Sequence, residues 1–277
     1  MDKFINLLKY LFLGAVQGIT ETLPISSSGH LVILSELFNM NKTDDLSFEI
    51  LLHFGSLIAI VYFYRKTLAE LIKNFFSFIF NTNRDKENFI DFKYVFLLVL
   101  ATIPAGIIGF LFNNFIAKNL TSLLTVGVSL IITAIILFLI SKMPKGKKEK
   151  KDITWFDALF IGIIQALAII PGISRSGSTV SASLSRKINI DNALKFSFLL
   201  FIPVSLGAMT LDIIDFIKNP ITINLIIPYF IAFLTSIIFT YISLKIFIEI
   251  IKKGKLSYFA IYCFFVGTTS FILSFII

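Results

Sequence analysis

Gln17-Gly18-Ile19-Thr20-Glu21-Thr22-Leu23-Pro24-Ile25-Ser26-Ser27-Ser28-Gly29-His30 is a polar, glycine-bearing tract that cuts short an apolar segment begun at Phe4. A second such tract, Pro171-Gly172-Ile173-Ser174-Arg175-Ser176-Gly177-Ser178-Thr179, ends the apolar run 155–170. A shift of 148 residues, without gaps, lays one on the other: Phe12 on Phe160, Gly14 on Gly162, Gln17 on Gln165, Ile25 on Ile173, Ser26 on Ser174, Ser28 on Ser176 and Gly29 on Gly177. Two Ser/Gly-rich loops can look alike by composition, but seven identities in one register favour a duplicated unit.

Both tracts sit in a chain built for lipid. Of its 277 residues 56% are hydrophobic and only 15% charged, with a mean hydropathy of +0.88. An ordinary soluble domain carries about 25% charged residues, so a water-surrounded globule is excluded, and so much apolar content excludes disorder. The single cysteine, Cys263, forms no internal disulfide and says little about redox compartment. A net charge of +8, from 25 Lys and Arg against 17 Asp and Glu, reads as membrane topology before it reads as nucleic-acid binding.

A spanning helix needs about 20 mostly apolar residues. Stretches 119–141, 221–244 and 256–277 meet this without a charge, and 94–112 nearly does. Stretch 50–64 is apolar apart from His53, with Glu49 just before it, and 196–211 follows Lys195. Six spans are therefore predicted, while 4–18 and 155–170 are too short for simple crossings. Basic residues gather on the cytoplasmic side: six lie in 65–93, six in 142–151 and three in 252–255, with Arg186 and Lys187 before the span at 196. The alternate connections hold only Lys42, Lys118 and Lys218, and the pair Lys3 and Lys9 is a mild exception. Stretch 67–80 reads as an amphipathic helix on the cytoplasmic surface.

With these crossings, 154–186 starts and finishes on the basic side as a re-entrant hairpin, and 1–38 is its counterpart. Three spans separate the copies, so the second lies upside down relative to the first, the arrangement that brings broken helices together near midplane. The expected fold is an all-α integral membrane protein, six transmembrane helices plus two re-entrant helical hairpins in an inverted-topology repeat. Residues 1–277 form a single membrane domain, with a first repeat 1–141, a basic cytoplasmic linker 142–153 and a second repeat 154–277.

Gln17 and Glu21 share a helix face at four-residue spacing, and Pro24 and Gly29 free backbone groups that need partners in lipid. In the second tract a glycine-bearing turn opening a helix aims N–H groups at an anion, and Arg175 adds a fork suited to phosphate. Serines in membrane helices are commonly packing residues, the better reading for Ser181, Ser183 and Ser185. Glu21 and Arg175 as a buried pair joining the hairpins is the bland alternative, yet ionisable groups at membrane depth usually line a site. His53 reads as a rim or packing residue, Trp155 as an interfacial anchor, Asp212 and Asp215 as parts of a solvated outer loop, and Cys263 as apolar filler. Two histidines and one cysteine cannot build a zinc cluster.

Gln17-x-x-x-Glu21 with Leu23-Pro24-Ile25-Ser26-Ser27-Ser28-Gly29-His30 resembles one motif of the bacterial undecaprenyl-diphosphate phosphatases of the bacitracin-resistance type. Pro171-Gly172-Ile173-Ser174-Arg175-Ser176-x-x-Thr179 resembles their other motif. The resemblance implies hydrolysis of undecaprenyl diphosphate to the monophosphate, recycling the lipid carrier for peptidoglycan synthesis and conferring bacitracin resistance. It also implies a divalent cation, Mg²⁺ or Ca²⁺, and a multi-pass protein of the bacterial plasma membrane with its site open to the outer face. Gln17 stands where many members have Glu, which removes a second carboxylate from metal binding and leaves Glu21, with Gln17 nearby.

Phosphoryl transfer needs charge neutralisation above all. Arg175, with Ser174, Ser176 and nearby N–H groups, is assigned to phosphate binding and transition-state stabilisation, alongside Ser26, Ser28, Gly29, Gly177 and Thr179. Glu21 binds metal or deprotonates a nucleophile. Ser27 is the candidate nucleophile with His30 as general base or acid, and attack by His30 or by water stays open. The partners are the polyprenyl diphosphate, membrane lipid and, optionally, a second copy in a homodimer, with no nucleic acid. The rival reading is a transporter or flippase for a polyprenyl phosphate or other anion.

Overall fold

A computed structural model of the chain describes residues 2–38, 42–80, 85–218 and 223–276, without the side chains of 2–3, 42–47, 113–114 and 211–218. Its elements are α1 (Asp2–Thr22), α2 (Ser27–Leu37), α3 (Lys42–Phe63), α4 (Arg65–Phe80), α5 (Lys86–Asn119), α6 (Leu123–Ser141), α7 (Trp155–Leu167), α8 (Arg175–Ser185), α9 (Ile190–Lys218), α10 (Ile226–Lys252) and α11 (Ser257–Leu273). Apart from 3₁₀ turns at Lys150–Asp152 and Ile223–Leu225 and an isolated bridge from Lys148 to Ile188, the described residues hold no other regular structure.

Polar residues set the helix starts. Ser122 accepts from Thr125 N at 3.2 Å to open α6, and Thr154 and Asp157 cap α7 reciprocally. Four helices of the described residues are long and apolar enough to cross a membrane: Lys86–Phe112, Leu123–Ser141, Ile190–Thr210 and Ile223–Lys252. Phe48–Phe63 and Arg65–Phe80 pass that test together but bend by 72°, which raises the count to five. The sixth expected span is represented by α11, which at 17 residues falls short of that length. Phe110, Leu111, Phe115, Phe230 and Phe265 are all exposed on the outside, an apolar coat that water would not tolerate and lipid does. The protein is membrane-embedded.

Small residues let the helices touch. In α1, Gly14 lies against the backbone of Ala232 in α10, and in α7 its shifted counterpart Gly162 lies against the backbone of Ala101 in α5. Gly127 of α6 and Gly267 of α11 face each other in the same manner. Such contacts are how helices associate where lipid offers no hydrophobic drive. The two expected hairpins, α1–α2 and α7–α8, meet at their tips: a methyl on Gly29 would come within 3.0 Å of Gly172 Cα.

One expectation fails in this fold. Asp212 and Asp215 are not in a loop, because α9 runs on to Lys218 through Ile213, Ile214, Phe216 and Ile217 with no helix breaker before Pro220. Their side chains lie outside the described residues. Trp155 is 64% exposed at the start of α7, and Cys263 is buried against Pro24.

Candidate active site

The last two turns of α1 bring Gln17 and Glu21 onto one face. Gln17 Nε2 donates to Glu21 Oε2 at 2.7 Å, as their spacing predicts. The chain then breaks at Leu23-Pro24-Ile25, and α2 begins with Ser27, whose hydroxyl donates to the same Oε2 at 2.6 Å. Ser26 holds the break in the left-handed region, φ 67°, an uncommon conformation for a residue with a side chain. Its Oγ explains how: it accepts from Gly29 N at 3.3 Å and from Gly172 N of the other tip at 3.1 Å.

The second tip is built alike. Gly172 has φ +96°, and an added Cβ there would strike Ser129 Cβ and Val126 O of α6 at 2.6 and 2.7 Å, so only glycine fits. Thr133 of α6 donates to Gly172 O and accepts from Ser174 N. Ser174 then caps α8 through Gly177 N at 3.1 Å, and Arg175 is the first residue of the helix. Its guanidinium donates to Ser205 Oγ at 3.1 Å, lies over the Phe201 ring at 4.9 Å and comes to 3.9 Å from Glu21 Oε1. Glu21 is 3% exposed and Arg175 29%.

Both tips open onto one cavity of about 560 Å³. Glu21, Ser26, Ser27, Ser28, Ser174 and Arg175 line its polar end. The other end runs between α5 and α9, past Ala105, Gly106, Gly109, Pro203, Gly207 and Ala208, and reaches Ile116, Ala117 and Thr121. Carboxylate and guanidinium thus share one polar pocket inside an apolar shell.

Other expected residues go elsewhere. His30 does not meet Ser27 or the cavity: its Nδ1 lies 2.8 Å from Ser26 O, and its Nε2 lies 2.7 Å from the hydroxyl of Tyr262, with the rings stacked. Ser176 donates to Leu23 O, Gly177 N is taken by the Ser174 cap, and Thr179 donates to Arg175 O and pairs with Ser197. Together with Gly29, these residues tie the tips to each other and to α9 without lining the cavity. His53, read from sequence as rim or packing, belongs with Glu21: its Nδ1 lies 3.2 Å from both Glu21 Oε2 and Gln17 Nε2. With Nδ1 protonated it donates to Glu21, and without the proton it accepts from Gln17. Its neighbour Glu49 also lines the cavity. The available clue was one turn of ionisable spacing, Glu49 to His53, within an apolar run.

No group of three or more His, Cys, Asp or Glu suited to a metal ion occurs among the described residues. The oxygen set of Glu21, Glu49 and the tip serines fits a hard cation only in the manner of Mg²⁺, which takes one or two carboxylates and completes its shell with water and substrate phosphates. Glu21 Oε2 is already engaged by Gln17 and Ser27, leaving Oε1 for that duty.

Residues 10–269 match the family described as bacitracin resistance protein BacA. The chain is 46% identical over 272 residues to undecaprenyl-diphosphatase 2 of Bacillus thuringiensis (strain Al Hakam), covering 98% of this chain and 99% of that one. It is 45% identical over 270 residues to the undecaprenyl-diphosphatase of Oceanobacillus iheyensis, covering 96% of each. Undecaprenyl-diphosphatase 1 of Halalkalibacterium halodurans is 43% identical over 261 residues, with 94% of each chain covered.

Proposed function

The chain belongs to the bacitracin resistance protein BacA family, and from that premise we propose that it hydrolyses undecaprenyl diphosphate to undecaprenyl phosphate and inorganic phosphate. The observation that carries the reaction is the Ser27 hydroxyl donating to Glu21 Oε2 at 2.6 Å, with Arg175 across the same carboxylate at 3.9 Å. A hydroxyl aimed at a base and beside a cation is the arrangement of an activated nucleophile.

Ser27 Oγ attacks the terminal phosphorus and its proton passes to Glu21. The bond from that phosphorus to the bridging oxygen breaks, and its electron pair leaves on undecaprenyl phosphate. Glu21 passes that proton to the departing phosphate oxygen and is a carboxylate again. It then takes a proton from the water that attacks the serine phosphate and returns it to Ser27 Oγ as the Oγ–P bond breaks, and inorganic phosphate departs. Arg175, held by Ser205 and Phe201, neutralises the equatorial phosphoryl oxygens, and Gln17 and His53 keep Glu21 in place. A divalent cation held by Glu21 and the substrate phosphates would supply further charge neutralisation. The role first assigned to His30 passes to Glu21, because the imidazole is turned toward Tyr262.

The cavity's second end suits the lipid tail. Methyl groups added at Gly106 and Gly207 would meet nothing within 4 Å, so packing does not demand glycine there, whereas an isoprenoid passing between α5 and α9 would. The matched contacts of Gly14 and Gly162 support two inverted repeats, 1–141 and 154–277, with six crossings and two re-entrant hairpins. The cavity reaches Ala117 and Thr121, at and just past the C-terminal end of α5, beside Lys118, and no residue of the basic linker 142–153 lines it. That favours an outward-facing site in the plasma membrane, where the enzyme recycles the peptidoglycan carrier and, by turning over its diphosphate, confers bacitracin resistance.

Purified protein incubated with the C55 diphosphate should release phosphate, and chelation tests the cation. No release under any metal condition would favour a transporter and end the hydrolytic reading.

A further inference from the structure

Gln165 sits on α7 in the cavity wall, at 2% exposure, and neither its Nε2 nor its Oε1 has a hydrogen-bond partner. A buried amide without partners is a standing cost to the folded state. Membrane interiors make such groups dearer still, since lipid supplies no substitute. Its neighbours along the chain, Ala166, Ala168 and Ile169, are apolar, and the amide makes no hydrogen bond within the protein that its polarity would serve. The same cavity is lined by Glu21, Ser27 and Arg175.

Its counterpart under the 148-residue shift sharpens the point. Gln17 spends its Nε2 on Glu21, so one glutamine serves the carboxylate from within the chain. Gln165 has no such acceptor on its own side of the cavity. The chemistry that satisfies it is an anion rich in acceptor oxygens, entering beside a guanidinium.

We propose that Gln165 is a substrate-positioning residue whose amide Nε2 donates to a phosphoryl oxygen of the bound diphosphate. The assignment rests on the hydrolytic reading above and names one further contact of that site. The amide fixes the phosphate pair along the line between Arg175 and Ser27. Because it is neutral, it adds orientation where Arg175 adds charge.

The test compares full-length wild type with Gln165→Met and Gln165→Glu in detergent. Methionine keeps the length and removes the unpaired amide, so the melting temperature should stay or rise. Meanwhile kcat/KM for the C55 diphosphate should fall about 10- to 100-fold, the range for one hydrogen bond to a charged group. Glutamate, which repels the phosphates, should fall further. Inorganic diphosphate should raise the melting temperature of wild type and do so less for Gln165→Met. That shift is read even where phosphate release is missing, which separates failure of this assignment from failure of the hydrolytic reading. A kcat/KM for Gln165→Met within about twofold of wild type overturns the assignment. So does a lowered melting temperature with activity lost only in proportion to unfolded protein, which would make the amide structural.

Discussion

Ser27→Ala separates a serine nucleophile from a serine that merely orients something else. The hydroxyl hydrogen bond to Glu21 Oε2 is 2.6 Å long, and a bond to a charged acceptor contributes about 1.5–3 kcal/mol. Loss of stability stays near the low end, because Gln17 at 2.7 Å and His53 at 3.2 Å still hold the carboxylate. If Ser27 only positions Glu21 or a water, that same energy bounds the rate loss at about 10- to 100-fold. If Ser27 carries the phosphoryl group, its removal deletes the route, and Ser26 cannot replace it because its Oγ is committed to Gly29 N and Gly172 N. The expected loss is then about 10³-fold or more, roughly 4 kcal/mol in barrier. Phosphate release from the C55 diphosphate by purified protein measures it, and an acid-quenched reaction with labelled terminal phosphate looks for the phosphoserine. Activity above about a hundredth of wild type, with no label on the wild-type chain, would refute the nucleophile.

Gly207→Leu fills the α5–α9 gap, where an added Cβ meets nothing within 4 Å. KM for the C55 diphosphate should rise about tenfold, a short prenyl diphosphate should be little affected, and equal effects on both would argue against a tail path there. Gly162→Ala drives a methyl into the Ala101 backbone. It should cost about 1–3 kcal/mol by overpacking, read as a lowered melting temperature in detergent, with Gly14→Ala similar. Asp157 sits at the basic linker: burial pushes its carboxyl up, but hydrogen bonds from Lys148, Thr154 and Arg186 prevail and hold it at about 2, against an ordinary 3.8. Its stabilisation is therefore full above pH 3.8, shrinks below that as the unfolded chain takes up a proton first, and is gone once pH falls through about 2. Lys148 and Arg186 are about a third exposed, which trims the contribution to about 1–2 kcal/mol. Asp157→Asn should lose it at neutral pH and flatten the acid limb of the melting profile.

What could be read from the chain depended on whether a contact was local or made by folding. The Gln17–Glu21 bond follows from four-residue spacing on one helix. Ser26 and Ser174, read from sequence only as phosphate-binding, each cap the helix that follows through a glycine N–H three residues on, a use that the motif did not reveal. The 148-residue shift foretold that Gly14 and Gly162 would stand in like surroundings, although Ala232 and Ala101, the backbones they meet, share no visible pattern. His53 escaped because its partner is on another helix: only the packing of α3 beside α1 turns a histidine in an apolar run into a ligand of Glu21. His30 takes its place for the converse reason. Three residues from Ser27, it ought to share a pocket, but α2 starts from a left-handed Ser26, and that twist sends the imidazole to Tyr262, 232 residues away. Motif proximity is thus a guide to which residues gather at a broken helix, and a poor one to which way they face.

The same distinction explains why polar residues in the two tips divide into two groups. Every backbone group freed by a helix break inside lipid must be met, and Ser176, Thr133, Ser174 and Ser26 are consumed in doing so. The groups that line the cavity without bracing a break are Ser27, Ser28 and Glu21 on one tip and Arg175 on the other. A reaction at this depth therefore requires more hydroxyls than its chemistry uses. Replacing a bracing serine such as Ser176 should harm folding first and activity only through it, whereas Ser27→Ala should do the reverse.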